Sequence, residues 1–241
     1  MATRTTRAFL DANILRGQLQ TDVLLSLAYN RAFEPRWSAE VLDEVRRNRP
    51  AGVSEQAIDR RLDQMNRVFR TAMVSDYEHL MPQMRADAKD KHVLAAAVHA
   101  EATVLVTENV KDFDPPTKGP HAMPVQKLSP FLNQLADDQP ARTVASMREM
   151  ISRTDREPNS LPELIDKLAA QYDLKGFALK LNSIVPAEDR GSHPDLQVSQ
   201  AAKAALDGIP SPTEAVSKPS ATPEARKATT NEPGTSPKKE L

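Results

Sequence analysis

The chain has 241 residues, a formal net charge of −1 and no cysteine, which excludes a strongly basic nucleic-acid binder working by bulk charge, disulfides, thiolate metal sites and cysteine nucleophiles. Hydrophobic residues make up 39% of it, enough for one real core, but the 19 prolines crowd toward the end and aromatics are only 4%, so the core is expected in the first part of the chain. Basic residues in Met1 to Arg7 are followed directly by Asp11, with no long apolar run, and a soluble, cytoplasmic protein without a signal peptide or membrane span is expected.

In chain order, Ala8-Phe9-Leu10 reads as a short buried strand and Leu19 to Tyr29 as the helix after it. An extended piece near Pro35-Arg36-Trp37 leads into Ser38, an N-cap for a helix running to about Arg47. Ser54 opens a long amphipathic helix to about Arg70, followed by an extended Met73 to Leu80 and a helix from about Asp87 to Ala100. The β-branched run Thr103 to Thr107 is the clearest strand, and Met123 to Gln126 a last one. Alternating strands and helices predict an α/β fold, a parallel sheet sandwiched by helices, in a domain over residues 1–135. Residues 141–182 turn purely helical, with Val144, Met147 and Ile151 on one face and a capping box in Ser160-Leu161-Pro162-Glu163, and predict an appended helical hairpin. No aromatic follows Phe177, and the Pro/Ser/Ala/Lys-rich stretch 185–241 is expected to be a disordered tail.

Ligands of an open α/β sheet bind beyond the carboxyl ends of its strands. Asp11 and Asn13 follow the first strand, and Asn109 and Asp112 follow the strand at 103–107. On the helix after Ser38, Val41, Leu42 and Val45 define the apolar stripe; Glu44 falls at its edge, whereas Glu40 and Asp43 point to solvent. Asp90 lies within the buried face set by Val93, Leu94, Ala97 and Val98, although Asp87 as N-cap with Asp90 at the third helical position explains the same spacing. Taken singly, Asp11, Glu44 and Asp112 read better as loop, surface and turn residues, and Asp90 equally well as part of a helix cap. Together Asp11, Glu44, Asp90 and Asp112 map to one edge of one sheet, where a group of carboxylates calls for a hard cation such as Mg²⁺ or Mn²⁺. Such an ion can activate water for attack on a phosphodiester.

These residues resemble the PIN-domain family, especially the VapC-like toxins of bacterial toxin–antitoxin pairs. The likeness rests on Phe9-Leu10-Asp11-Ala12-Asn13, Ser38 through Glu44, Asp87 through Ala97, and Val104 to Thr107 with Asp112-Phe113, and spans about Thr5 to Leu135. It implies a Rossmann-like parallel sheet and a metal-dependent endoribonuclease with Asp11, Glu44, Asp90 and Asp112 as catalytic acids and Asp11, Asp90 and Asp112 on Mg²⁺ or Mn²⁺. By the same likeness Asn109 and Thr107 orient ligands or water, and Asp87 stands just outside the metal ligands. Glu108 departs from the usual uncharged residue, either as a solvated neighbour or as a fifth carboxylate at the metal. Lys89, Lys91 and Lys111 flank the acids and suit RNA phosphates, with Arg16 and Arg36 more distant, while His92 projects away from the apolar helix face. The expected partners are RNA, a cognate antitoxin protein and a second copy in a homodimer.

Three rivals remain on the sequence. An inactive PIN-like scaffold binding RNA or protein is disfavoured by the intact acids. A phosphatase with Asp11 as nucleophile lacks the second acid that Asn13 replaces. A nucleotide-binding Rossmann domain lacks the Gly-rich loop.

Overall fold

The computed structural model describes residues 5–153 and 156–197. Most of the stretch expected to be a disordered tail, residues 198–241, lies outside the described residues.

Strand β1 (Arg7–Leu10) is buried from Ala8 onward and leads through a 3-10 turn at Ala12–Ile14 into α1 (Gln18–Tyr29). Strand β2 (Glu34–Ser38) passes directly into α2 (Ala39–Arg47), where Ser38 Oγ accepts from the Val41 N–H at 3.3 Å as the predicted N-cap. Ser54 caps α3 (Glu55–Val68) in the same way. The later elements of the sheet domain are β3 (Met73–Val74), α4 (Lys91–His99), β4 (Val104–Val106) and β5 (Val125–Gln126). The five strands are parallel in the order β3-β2-β1-β4-β5, with Ala8 opposite both Pro35 and Val104. Pro35 is tolerated inside β2 for a local reason. The N–H of Glu34 points to β1 and that of Trp37 to the β3 side, so the missing N–H of Pro35 would face the side where β3 has not yet begun.

Two expectations fail in this part of the chain. The extension expected for Met73 to Leu80 stops at Val74, because Asp76 adopts a left-handed φ of 63° and Glu78–Gln83 coils into 3-10 turns. The buried Tyr77 ring between them donates its hydroxyl to Glu40, which is therefore not free in solvent as its wheel position suggests. The helix expected from Asp87 starts four residues later at Lys91, since Asp87 to Asp90 forms a turn closed by the Asp90 N–H on the Asp87 carbonyl at 2.8 Å.

Helix α5 (Leu128–Asp138) contains residue 135, where the first domain was expected to end. It packs on α6 (Pro140–Ser152) and α8 (Lys175–Ile184), while Phe131 meets Phe33 edge to face at 5.1 Å. With α7 (Leu161–Ala169), residues 140–184 form three helices rather than a hairpin. Ser160 caps α7 as predicted, and Glu163 reaches back to the Asn159 N–H at 2.8 Å.

The stretch 185–197 is packed, contrary to the expected start of the tail. Leu196 is fully buried, Asn182 Oδ1 accepts from the Gly191 N–H at 2.9 Å, and Asp166 accepts from the His193 N–H at 2.7 Å and the Ser192 hydroxyl at 2.9 Å. Its composition is tail-like, but Val185 and Leu196 are buried and hydrogen bonds to the side chains of Asn182 and Asp166 tie it to the helices. No helix among the described residues is long and apolar enough to cross a membrane.

Candidate active site

The strand order reverses between β1 and β4, so the loops that follow these two strands leave in opposite directions and open a crevice at their carboxyl ends. Asp11 is the first residue of one loop and Thr107 of the other. The Asp11 N–H donates to the Val106 carbonyl at 3.0 Å, and the side chain is almost wholly buried. Asp11 Oδ1 accepts from the Ala12 N–H at 2.6 Å, and Oδ2 accepts from the Thr107 hydroxyl at 2.6 Å and from Asn13 Nδ2 at 2.7 Å. Asn13 also donates to Thr107 Oγ1 at 3.0 Å and accepts from the Glu108 N–H at 3.1 Å, while Thr107 Oγ1 accepts from the Asn109 N–H at 3.1 Å. Asn13 and Thr107 therefore clamp the Asp11 carboxylate between two loops, and Asn109 contributes its backbone to the clamp while its exposed side chain lines the cavity.

The other acids come from α2, from the N-terminus of α4 and from the 3-10 turn Val110–Asp112. Asp90 occupies the cap position of α4 but makes no capping bond with its side chain, and its buried Oδ2 has no hydrogen-bond partner among the described residues. Asp112 is brought to it by a short antiparallel contact between the preceding loops: Ala86 bridges Phe113, the Asp87 N–H donates to the Asp112 carbonyl at 3.0 Å, and the Asp114 N–H donates to the Arg85 carbonyl at 2.8 Å. As a result, carboxylate oxygens of Asp87, Asp90 and Asp112 lie within 4.8 Å of one another. Lys89 Nζ sits 3.5 Å from both Asp90 Oδ2 and Asp112 Oδ2, a cation already drawn to that point.

Burial is the main cause that pushes the Asp11 carboxyl above its usual range; the hydrogen bonds from Thr107 and Ala12 oppose it, the Glu44 charge adds to it and His92 counters it. Asp90 is pushed up in the same direction, first by burial, against the pull of Lys89, and further by the charges of Asp11 and Asp112. The four acids singled out by the sequence thus influence one another in an unbroken series, Glu44 to Asp11 to Asp90 to Asp112. The donor set is all oxygen and includes one buried carboxylate oxygen with no hydrogen bond, which fits a hard divalent cation. Asp87, expected outside the ligands, belongs to the tightest trio, whereas Asp11 reaches that trio through Asp90 and has its oxygens engaged by three hydrogen bonds.

A cavity of about 280 Å³ is lined by Asp11, Asn13, Glu44, Asp90 and Lys89 together with cationic residues from the β1 loop and the end of α2. Lys91 and Lys111 form no ion pair among the described residues. Arg36 is held elsewhere, on Glu34 at 3.0 Å and on the Pro35 carbonyl at 2.8 Å. His92, set aside on its wheel position, is at the site: Nε2 lies 3.0 Å from Glu44 Oε1, because the helix face beyond the apolar stripe meets α2 rather than solvent. Glu108 turns away from the acids. Its Oε1 accepts from the Leu128 N–H at 3.2 Å and its Oε2 lies 3.8 Å from Lys127 Nζ, so it caps α5.

The PIN domain family model matches residues 6–111, which ends one residue short of Asp112, and the model of the VapC50 C-terminal domain matches residues 130–183, from α5 to α8. The Mycobacterium tuberculosis protein named "Putative ribonuclease VapC50" is 32% identical over 117 residues, a span that covers 48% of this chain and 68% of that protein. No solved structure matches. A parallel sheet with an acidic crevice at its switch point, a matching domain model over the same residues and a relative of this likeness converge on one assignment: the chain belongs to the PIN-domain family.

Proposed function

We propose that the chain is a Mg²⁺- or Mn²⁺-dependent endoribonuclease that hydrolyses RNA phosphodiesters in the cytoplasm, and that it is the toxin of a toxin–antitoxin pair. The observation that carries the reading is the gathering of carboxylates at the carboxyl edge of a parallel sheet, with oxygens of Asp87, Asp90 and Asp112 within 4.8 Å of one another and Asp11, Glu44 and Asp90 lining one cavity. Likeness to a relative whose name includes ribonuclease supports the choice of RNA.

Asp87, Asp90 and Asp112 would hold the cation, with Asp11 beside them in the same crevice. When bound, a divalent ion supplies an activated water and neutralises charge on the attacked phosphate and the leaving oxygen. Thr107 and Asn13 fix the direction of the Asp11 carboxylate, so that no reorganisation is needed when substrate arrives. Glu44, steadied by His92, is the acid best placed to take a proton from the attacking water, because its side chain is neither clamped as Asp11 is nor drawn to Lys89. Lys89, Lys91 and Lys111 meet the RNA backbone. An antitoxin that covers the acidic crevice and a homodimer complete the reading.

The test is cleavage of a mixed cellular RNA pool by protein freed of any partner, with Mg²⁺, with Mn²⁺ and with chelator, beside an Asp11→Asn/Asp90→Asn double variant. Metal-dependent cutting that the folded variant loses is the expected result. Absence of cutting by a folded, metal-loaded chain defeats the reading, and equal cutting by the variant defeats the assignment of the acids.

A further inference from the structure

Two arginines line the acidic cavity without any partner of their own among the described residues. Arg16 follows the 3-10 turn after β1, and Arg47 is the last residue of α2. Among the described residues, Arg7, Arg36, Arg46, Arg85, Arg148 and Arg153 are each ion-paired. The side chains of Arg16 and Arg47 form neither an ion pair nor a hydrogen bond among the described residues, although they share a cavity with Asp11, Glu44 and Asp90. The Nε of Arg16 is shielded from solvent and still lacks an acceptor, a state that is costly to leave unmet.

Both side chains spring from backbone that is held in place. The carbonyl of Leu15, next to Arg16, accepts from the Arg61 guanidinium, the Leu15 N–H donates to the Ala12 carbonyl at 3.1 Å, and Gln20 Nε2 donates to the Asn13 carbonyl at 3.0 Å. On α2, Glu44, Arg47 and Asn48 follow the i, i+3, i+4 spacing of one helix face, and all three line the cavity. Asn48 closes the helix end by donating its N–H at 2.9 Å and its Nδ2 at 3.0 Å to the Glu44 carbonyl.

A phosphodiester approaching several carboxylates is repelled unless positive charge in the same cavity offsets them. Lys89 is shared with Asp90 and Asp112, so the cavity's cations that have no partner among the described residues are the two guanidiniums. Their planar forks match phosphate oxygens in a bidentate way that an ammonium does not. We propose that Arg16 and Arg47 form a clamp for a backbone phosphate of the RNA strand beside the acidic centre. The choice of RNA as ligand rests on the ribonuclease reading. The competing explanation for Arg47 is a cation that merely balances the dipole at the end of α2.

The experiment compares the full chain with Arg16→Gln, Arg47→Gln and both together, in an Asp90→Asn background that stops hydrolysis, by titrating a short mixed-sequence single-stranded RNA in Mg²⁺ at several salt concentrations. The plot of log K against log salt is expected to become shallower by about 0.7 for each arginine removed. The double variant should bind about tenfold more weakly or worse, while Arg→Lys at both positions restores the slope and only part of the affinity. With the wild-type acids, the double Gln variant should raise KM for RNA and leave kcat near its original value. Unchanged slope and KM in a chain that still cuts RNA overturn the clamp and leave the ribonuclease reading standing. A lowered thermal midpoint for Arg47→Gln with an unchanged slope also overturns it, in favour of the helix-end role. A wild-type chain that neither binds nor cuts RNA overturns both proposals.

Discussion

Burial, more than any neighbouring charge, pushes the carboxyls of Asp11 and Asp90 above their usual range. An acid whose folded pKa is raised contributes stability that is full below its unfolded value, 3.8 for both, and is lost as pH rises through the folded value. Asp90→Asn removes that loss. In the metal-free protein its advantage over wild type is expected to be absent in strong acid and to grow toward neutral pH, reaching on the order of 1 kcal/mol or ~2–4 °C in thermal midpoint. Melting curves of both chains across pH test this, and an advantage that does not change with pH would sink it. Glu108→Ala should cost ~1 kcal/mol, the usual worth of a helix cap, and leave cleavage per folded molecule unchanged, since its carboxylate serves α5; an activity assay corrected for folded fraction checks it. Asp11, Glu44, Asp90 and Asp112 were legible because each stands at a strand end or on a buried helix edge. His92 was not, since a helical wheel gives a direction but not what lies there, and here it is Glu44. The direction of Glu108 depends on α5, an element the sequence pattern did not single out.

At the scale of elements, boundaries were legible where a side chain marks them, as at Ser38, Ser54 and Ser160. They were missed where tertiary contacts decide. The segment 185–197 has tail-like composition, yet Leu196 is fully buried and Gly191 lies so close to α7 that an added Cβ would meet Leu196 Cδ1 and Ile165 Cγ2 at 2.8 Å. Leu196→Ala is expected to destabilise the chain by ~2–5 kcal/mol, and Gly191→Val should do so through overpacking. A chain ending at Asn182 should lose stability that a chain ending at Gln197 keeps. Denaturant midpoints of the two truncations decide this, and equal midpoints would show that the segment contributes nothing.

At the scale of the molecule, a cation taken up by Asp87, Asp90 and Asp112 in the folded state alone, as proposed, would stabilise the fold by mass action, by roughly 2.7 kcal/mol at a hundredfold excess over its Kd. Mn²⁺ or Mg²⁺ should therefore raise the thermal midpoint of the wild type and have little effect on Asp90→Asn, a comparison that needs no substrate. A midpoint indifferent to either ion would remove the metal from this trio. The overall architecture was legible from alternating strand and helix patterns alone, whereas the three-helix arrangement of α6, α7 and α8 was not, because a short loop and a long one between helices differ little in composition.

The placement of β1 has a consequence in time. Of the five strands of the sheet, the earliest in the sequence is the central one, flanked by β2 and β4, and the Thr107 hydroxyl that steadies Asp11 lies 96 residues further along the chain. While the chain is still growing, one side of β1 stays unpaired and Asp11 lacks its clamp, and a contact this distant in sequence is slow to close. If the acids act as one centre, that centre is complete only after Asp112 has emerged and folded back, so a chain still being made would carry the acids without the activity.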